Sequence, residues 1–169
     1  DASAAVGGAA AREGVETAST RCARAIADGQ SNGRHRTAAQ EGFGGAVLEL
    51  HGVRAGSKRL SISARCEYQH TGVGLHRLRD PVEGEVYVYT HFEPFDAHKV
   101  LACFDQPDLK AGVTMTVTAP TAWRVCGNGS VTRTEARGDA RTWHFKTTPP
   151  TPPYPRPVLA GQHHPSART

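Results

Sequence analysis

Between residues 60 and 68 the chain alternates strictly. Leu60, Ile62, Ala64, Cys66 and Tyr68 fall on one face, and Ser61, Ser63, Arg65 and Glu67 fall on the other. A period of two belongs to a half-buried strand, because successive side chains of an extended backbone point to opposite sides. Residues 85–93 repeat the pattern. Val86, Val88, Thr90 and Phe92 share one face, and Tyr87, Tyr89, His91 and Glu93 share the other. Val113, Met115 and Val117 interleave with Thr114, Thr116 and Thr118, which predicts a further strand ended by Pro120. Shorter strands are predicted at 46–50, 123–125, 130–134 and 143–146.

Helical patterning is sparse. Residues 9–28 read as a helix on Ala9-Ala-Ala-Arg-Glu13 followed by Val15, Cys22, Ala23 and Ile26, with poor apolar spacing, ended by Gly29. Residues 97–104 set Val100, Leu101 and Phe104 on one side and stop before Pro107. Residues 29–45 read as loop. The run from Thr147 to Pro157 is too rich in proline for a central strand and reads as polyproline II or disorder. Together these signals predict an all-β fold, an antiparallel β-sandwich or saddle-like sheet, with disordered or poorly packed ends. The expected division is 1–43 as a partly helical or disordered segment, 44–148 as the β domain, and 149–169 as a Pro/His-rich tail.

Composition narrows the class. The 169 residues suffice for one domain with a core. The formal charge of +4 is spread over single Lys and Arg residues rather than gathered in a run, which argues against nucleic-acid binding. No stretch approaches the length of a membrane span, and none reads as a signal peptide. Cys22, Cys66, Cys103 and Cys126 form no C-x-x-C pair. They read as free buried thiols of a reducing compartment, with a disulfide between two of them as the alternative, and a cytoplasmic location is expected.

Candidate chemistry is limited. Tyr87, Tyr89, His91 and Glu93 lie on one face, with Glu93 at the strand end. A carboxylate beside aromatic rings can hold a cationic group, although a solvated glutamate fits the same pattern. The loop His70-Thr-Gly-Val-Gly-Leu-His-Arg77 has two glycines but lacks the Lys-Ser/Thr of a phosphate loop, and so reads as a long turn between strands. The nine histidines include no His-x-x-x-His pair, and His163-His164 lies in the tail, so no metal site is expected. Cys103, within Leu-Ala-Cys-Phe, sits among apolar neighbours that raise a thiol pKa. No catalytic residue is assigned.

The run Tyr68-Gln-His-Thr-Gly-Val-Gly-Leu-His-Arg77, then Asp80-Pro81, then Gly84-Glu-Val-Tyr-Val-Tyr-Thr-His-Phe-Glu93, resembles the N-terminal domain of the aminopeptidase N family of zinc metallopeptidases, in its actinobacterial form. Phe95-Asp-Ala-His-Lys-Val-Leu-Ala-Cys-Phe-Asp105-Gln-Pro-Asp-Leu-Lys110 continues the resemblance, which covers about residues 60–148. It implies an all-β domain packed on a thermolysin-like catalytic domain that removes N-terminal amino acids from peptides. It implies zinc in that catalytic domain and no cofactor in this chain, which has no His-Glu-x-x-His segment. One residue carries over. Glu93, in His91-Phe92-Glu93, matches the family's residue that reaches the substrate's free α-amine, with His91 where the family usually has Gln. The implied partners are a peptide N-terminus and the absent catalytic domain, with no nucleic acid and no membrane. On this reading the chain itself is inactive. The alternative is a non-catalytic β-sandwich interaction module.

Overall fold

The alternating segments do become strands; those at 85–93 and 113–118 enter two sheets that face each other across a shared core, and the one that opens at Leu60 enters a separate three-stranded sheet. The computed structural model of the chain describes residues 4–7, 17–19, 28–31, 34–37, 47–49, 60–63, 68–101 and 103–162. In chain order the strands are β1 (Ala4–Gly7), β2 (Thr17–Ser19), β3 (Asp28–Ser31), β4 (Arg34–Thr37), β5 (Val47–Glu49), β6 (Leu60–Ser63), β7 (Gly74–Arg79), β8 (Val86–His91), β9 (Thr114–Pro120), β10 (Arg124–Gly127), β11 (Val131–Arg137), β12 (Ala140–Phe145) and β13 (Val158–Gly161). One four-stranded sheet runs β1-β9-β12-β11 and the other runs β10-β13-β8-β7. Every pairing within them is antiparallel. A β2-β5 pair and a three-stranded β4-β3-β6 sheet complete the described pairings.

The core follows from the period of two. Ala119, Trp143 and Phe145 from the first sheet meet Val88, Val125 and Ala160 from the second, with Met115, Val117, Val158 and Trp123 packed around them. Phe145 is only 3% exposed, and burying a side chain of that size contributes roughly 2–3 kcal/mol. The threonines of β9 face away from this core. Thr118 Oγ1 lies 2.9 Å from Thr142 Oγ1 across the β9–β12 pair, a cross-strand hydrogen bond on the polar side. A second, smaller cluster of Phe92, Ala97 and Cys103 sits beneath the end of β8, with Val100, Leu101 and Tyr154 against it.

Several expectations need correction. The helix over 97–104 is a single 3-10 turn, Ala97–Lys99. Val100 N–H and Leu101 N–H both donate to Ala97 O, and the ladder goes no further. The His98 N–H is taken by the Asp105 side chain, which ties the chain into a loop. The helix over 9–28 is contradicted where the structure is described. Residues 17–19 pair with β5, and Asp28 opens β3. The expected loop at 29–45 contains the β3–β4 hairpin. Residues 64–67 of the alternating run lie outside the described residues.

The tail also departs from expectation. Sequence predicts a disordered or poorly packed tail from 149 onward, yet β13 lies between β10 and β8 in the second sheet. The prolines do not break this strand, because Pro155 and Pro157 both precede Val158. The segment before it is fastened at intervals. Ala111 and Thr151 exchange backbone hydrogen bonds at 3.1 Å, and the Asn128 side-chain amide donates to Pro155 O. His163 and His164 lie outside the described residues.

Candidate functional site

The predicted split of β8 is borne out by burial. Val88 and Phe92 are buried, whereas Tyr87 and Tyr89 are half-buried and His91 and Glu93 are exposed. Pairing with β7 on one side and β13 on the other holds β8 rigidly through its middle. On the outer face, Tyr89 stands opposite His76 of β7, with ring centroids 4.9 Å apart and tilted by 41°. His76 meets His70 edge-on at 6.4 Å. Tyr87 stands opposite Leu78 and packs over Gly161. The outer face is therefore a row of rings leading toward the end of β8.

The turn with two glycines supports that end. Gly72 and Gly74 have φ of 88° and 70°, the left-handed region that suits glycine. The turn closes on itself, with Gln69 N–H donating to Leu75 O at 2.8 Å and Gly72 N–H to His76 Nδ1 at 3.0 Å. With that N–H already committed, the loop serves as a structural turn, as expected. His91 is drawn in by the same turn, since its Nδ1–H donates to Gly72 O at 3.3 Å.

Glu93 comes two residues after the last strand position and precedes a cis peptide bond to Pro94. Its carboxylate is exposed and makes no hydrogen bond or ion pair among the described residues. No hydrogen bond links it to His91, so the structure places the two at one end of β8 without joining them. Two other acids are engaged, Asp96 in the turn after Glu93 and Asp80 in the turn at the opposite end of β8. Asp96 pairs with Lys99 at 2.5 Å. Asp80 Oδ1 accepts the N–H groups of Glu83 and Val82 at 2.9 and 2.7 Å, which holds its carboxyl below the usual range.

Behind this end of β8 lies a buried polar group that the sequence did not single out. His98 and Asp105 are both buried, with Nδ1 2.7 Å from Oδ2. Cys103 lies close by. Burial, and then the charge of Asp105, pushes its thiol up to about 12, with Arg156 pulling the other way. The Arg156 guanidinium is half-buried, and burial lowers its pKa against the opposing pull of Cys103 and Asp105. A thiol so placed is inert rather than nucleophilic, as its apolar neighbours predicted. The pattern Asp-Ala-His98 with Asp105 seven residues on was the available signal. It went unread because a polar pair buried by tertiary packing leaves no periodicity.

The chain belongs to the Peptidase M1 N-terminal domain family, which matches residues 24–154. Aminopeptidase N of Streptomyces lividans is 39% identical over 124 residues, covering 73% of this chain and 14% of that protein. A probable M1 family aminopeptidase of Encephalitozoon cuniculi is 36% identical over 98 residues, covering 57% of this chain and 11% of its own length. Human glutamyl aminopeptidase is 36% identical over 81 residues, covering 46% of this chain and 8% of the relative. The chain thus spans about a seventh or less of each of these relatives.

Proposed function

We propose that this domain anchors the free α-amine of a peptide for a zinc aminopeptidase, with Glu93 as the anchoring carboxylate and His91 beside it. The observation that carries the reading is the state of Glu93: exposed, two residues past the end of a strand paired on both sides, and without a partner among the described residues. A carboxylate left unneutralised in this way is free to meet a cation. An α-ammonium with a pKa near 8 is mostly charged at neutral pH. A charge-assisted hydrogen bond to it contributes about 1.5–3 kcal/mol. Peptides blocked at the N-terminus lose that contact, which gives the preference for free termini that an aminopeptidase requires.

The membership in an N-terminal domain family supports the division of labour. Zinc, when bound in the whole enzyme, polarises the scissile carbonyl and activates water. Among the described residues no three His, Cys, Asp or Glu side chains come together. The partners are the peptide and the catalytic part of the same protein. An exposed free thiol at Cys126 is in keeping with a reducing, cytoplasmic setting.

The test uses an aminoacyl-anilide. The chain alone, supplied with zinc, is expected to release no aniline. In the whole enzyme, Glu93→Gln is expected to raise KM about tenfold. Turnover by the chain alone would overturn the division of labour, and an unchanged KM would remove Glu93 from it.

A further inference from the structure

Glu93 stands where backbone pairing stops. The β7–β8 register ends at the Gly74–His91 pair, so no ladder hydrogen bond fixes the residues beyond. A binding carboxylate nevertheless has to be held to within about 0.5 Å of its working position. The structure supplies the restraint from the far side of the turn.

Asp105 Oδ2 accepts the backbone N–H of His98 at 2.9 Å and faces its ring Nδ1 at 2.7 Å. Both residues are buried, at 5% and 8% exposure. A buried polar pair adds little stability over an apolar pair of the same volume, but it fixes one geometry, because each partner is costly to leave unpaired. Here the fixed geometry is transmitted to the turn. Phe92, before Glu93, is packed into the cluster with Ala97 and Cys103, next to His98. Asp96 N–H donates back to Phe92 O at 2.8 Å and closes the turn. Phe95, after Glu93, is 54% exposed, and its ring lies 4.8 Å from the His98 imidazole. Upstream, Thr90 Oγ1 donates to Arg156 O at 3.1 Å and accepts Val158 N–H at 2.7 Å, which binds the end of β8 to the tail.

We infer that His98 and Asp105 are positioning residues that clamp the turn at 92–96 and so aim the Glu93 carboxylate. The inference rests on the reading of Glu93 as the amine anchor. The pair does not touch the substrate; it acts through Phe92, Phe95 and the turn between them.

The test is a KM-against-kcat split in the whole enzyme. KM does not depend on how much of the protein is active, so a merely structural role lowers apparent kcat and leaves KM unmoved. His98→Ala is expected to raise KM for an aminoacyl-anilide about tenfold. His98→Asn, whose side-chain amide nitrogen can replace Nδ1 as donor to Asp105, is expected to restore KM to within about twofold. Phe95→Ala keeps the buried pair and removes the ring contact, and is expected to raise KM about threefold. It covers the case in which His98→Ala fails to fold. If Glu93→Gln raises KM while His98→Ala and Phe95→Ala do not, the positioning role is overturned and the anchor stands. If Glu93→Gln leaves KM unchanged, the anchor fails and the positioning role falls with it.

Discussion

The Tyr87 ring lies so close over Gly161 that a Cβ at position 161 would stand 2.7 Å from its Cδ1. The same Cβ would come within 2.9 Å of Val86 O, a backbone atom that cannot rotate away. Gly161 and Tyr87 are register partners in the β13–β8 pair. Close approach, rather than backbone freedom, is what this glycine provides. Gly161→Ala is therefore expected to push β13 off β8 and cost about 1–3 kcal/mol. A urea titration checks it: the midpoint should fall with the slope unchanged. An unmoved midpoint would mean the strands shift at no cost.

Removing the acceptor from the buried pair should cost more. Asp105→Ala leaves two buried N–H groups of His98 without a partner. The expected loss is about 2–4 kcal/mol, and Asp105→Asn, which keeps one acceptor oxygen, should lose less than half of that. Thermal unfolding of the two variants side by side decides it. Equal losses would show that the charge, and not the acceptor, holds the pair.

The two described thiols should separate chemically. Cys126 is exposed and Cys103 is buried. At about pH 8, iodoacetamide should modify Cys126 in the folded protein and reach Cys103 only on unfolding. Peptide mapping by mass spectrometry distinguishes them, and early labelling of Cys103 would contradict the burial. The linkage has a definite sign. Folding raises the Cys103 pKa from the ordinary thiol value of 9.0 to about 12. Below the lower value both states keep the proton and the full contribution to stability is present. As pH rises from the lower toward the higher value, the unfolded chain ionises first and that contribution is lost. Cys103→Ser should flatten the decline in stability over this range.

The sheets were legible where one face of a strand is buried, which holds for β8 and β9 but not for β11, exposed along its whole length. In β8 and β9 the inward residues are apolar apart from Thr90, so alternation located both. The short strands β10, β11 and β12 were placed within a few residues by Trp123, Val131 and Trp143 beside turn residues. The strand β13 is masked in sequence by the proline-rich run before it, although Pro155 and Pro157 both lie ahead of Val158 and none lies inside the strand. The strand β7 was partly hidden in a glycine-rich turn. The helix predicted at 97–104 stops after one 3-10 turn, Ala97–Lys99, where both Val100 N–H and Leu101 N–H converge on Ala97 O. For the site, the shared face alone fitted a solvated glutamate equally well, and it was the family resemblance that singled out Glu93 and His91, both of which lie exposed at the end of β8. The buried His98–Asp105 pair was not singled out, since its meaning depends on a cluster that only the folded chain assembles.

The most direct test of the central claim is a double cycle in the whole enzyme that pairs Glu93→Gln with a substrate whose α-amine is replaced by a hydroxyl. If Glu93 holds the amine, the variant should lose about tenfold or more in kcat/KM on the amino substrate and almost nothing on the hydroxy analogue, a coupling of about 1.5–3 kcal/mol. Equal losses on both substrates, or none on either, would contradict the assignment.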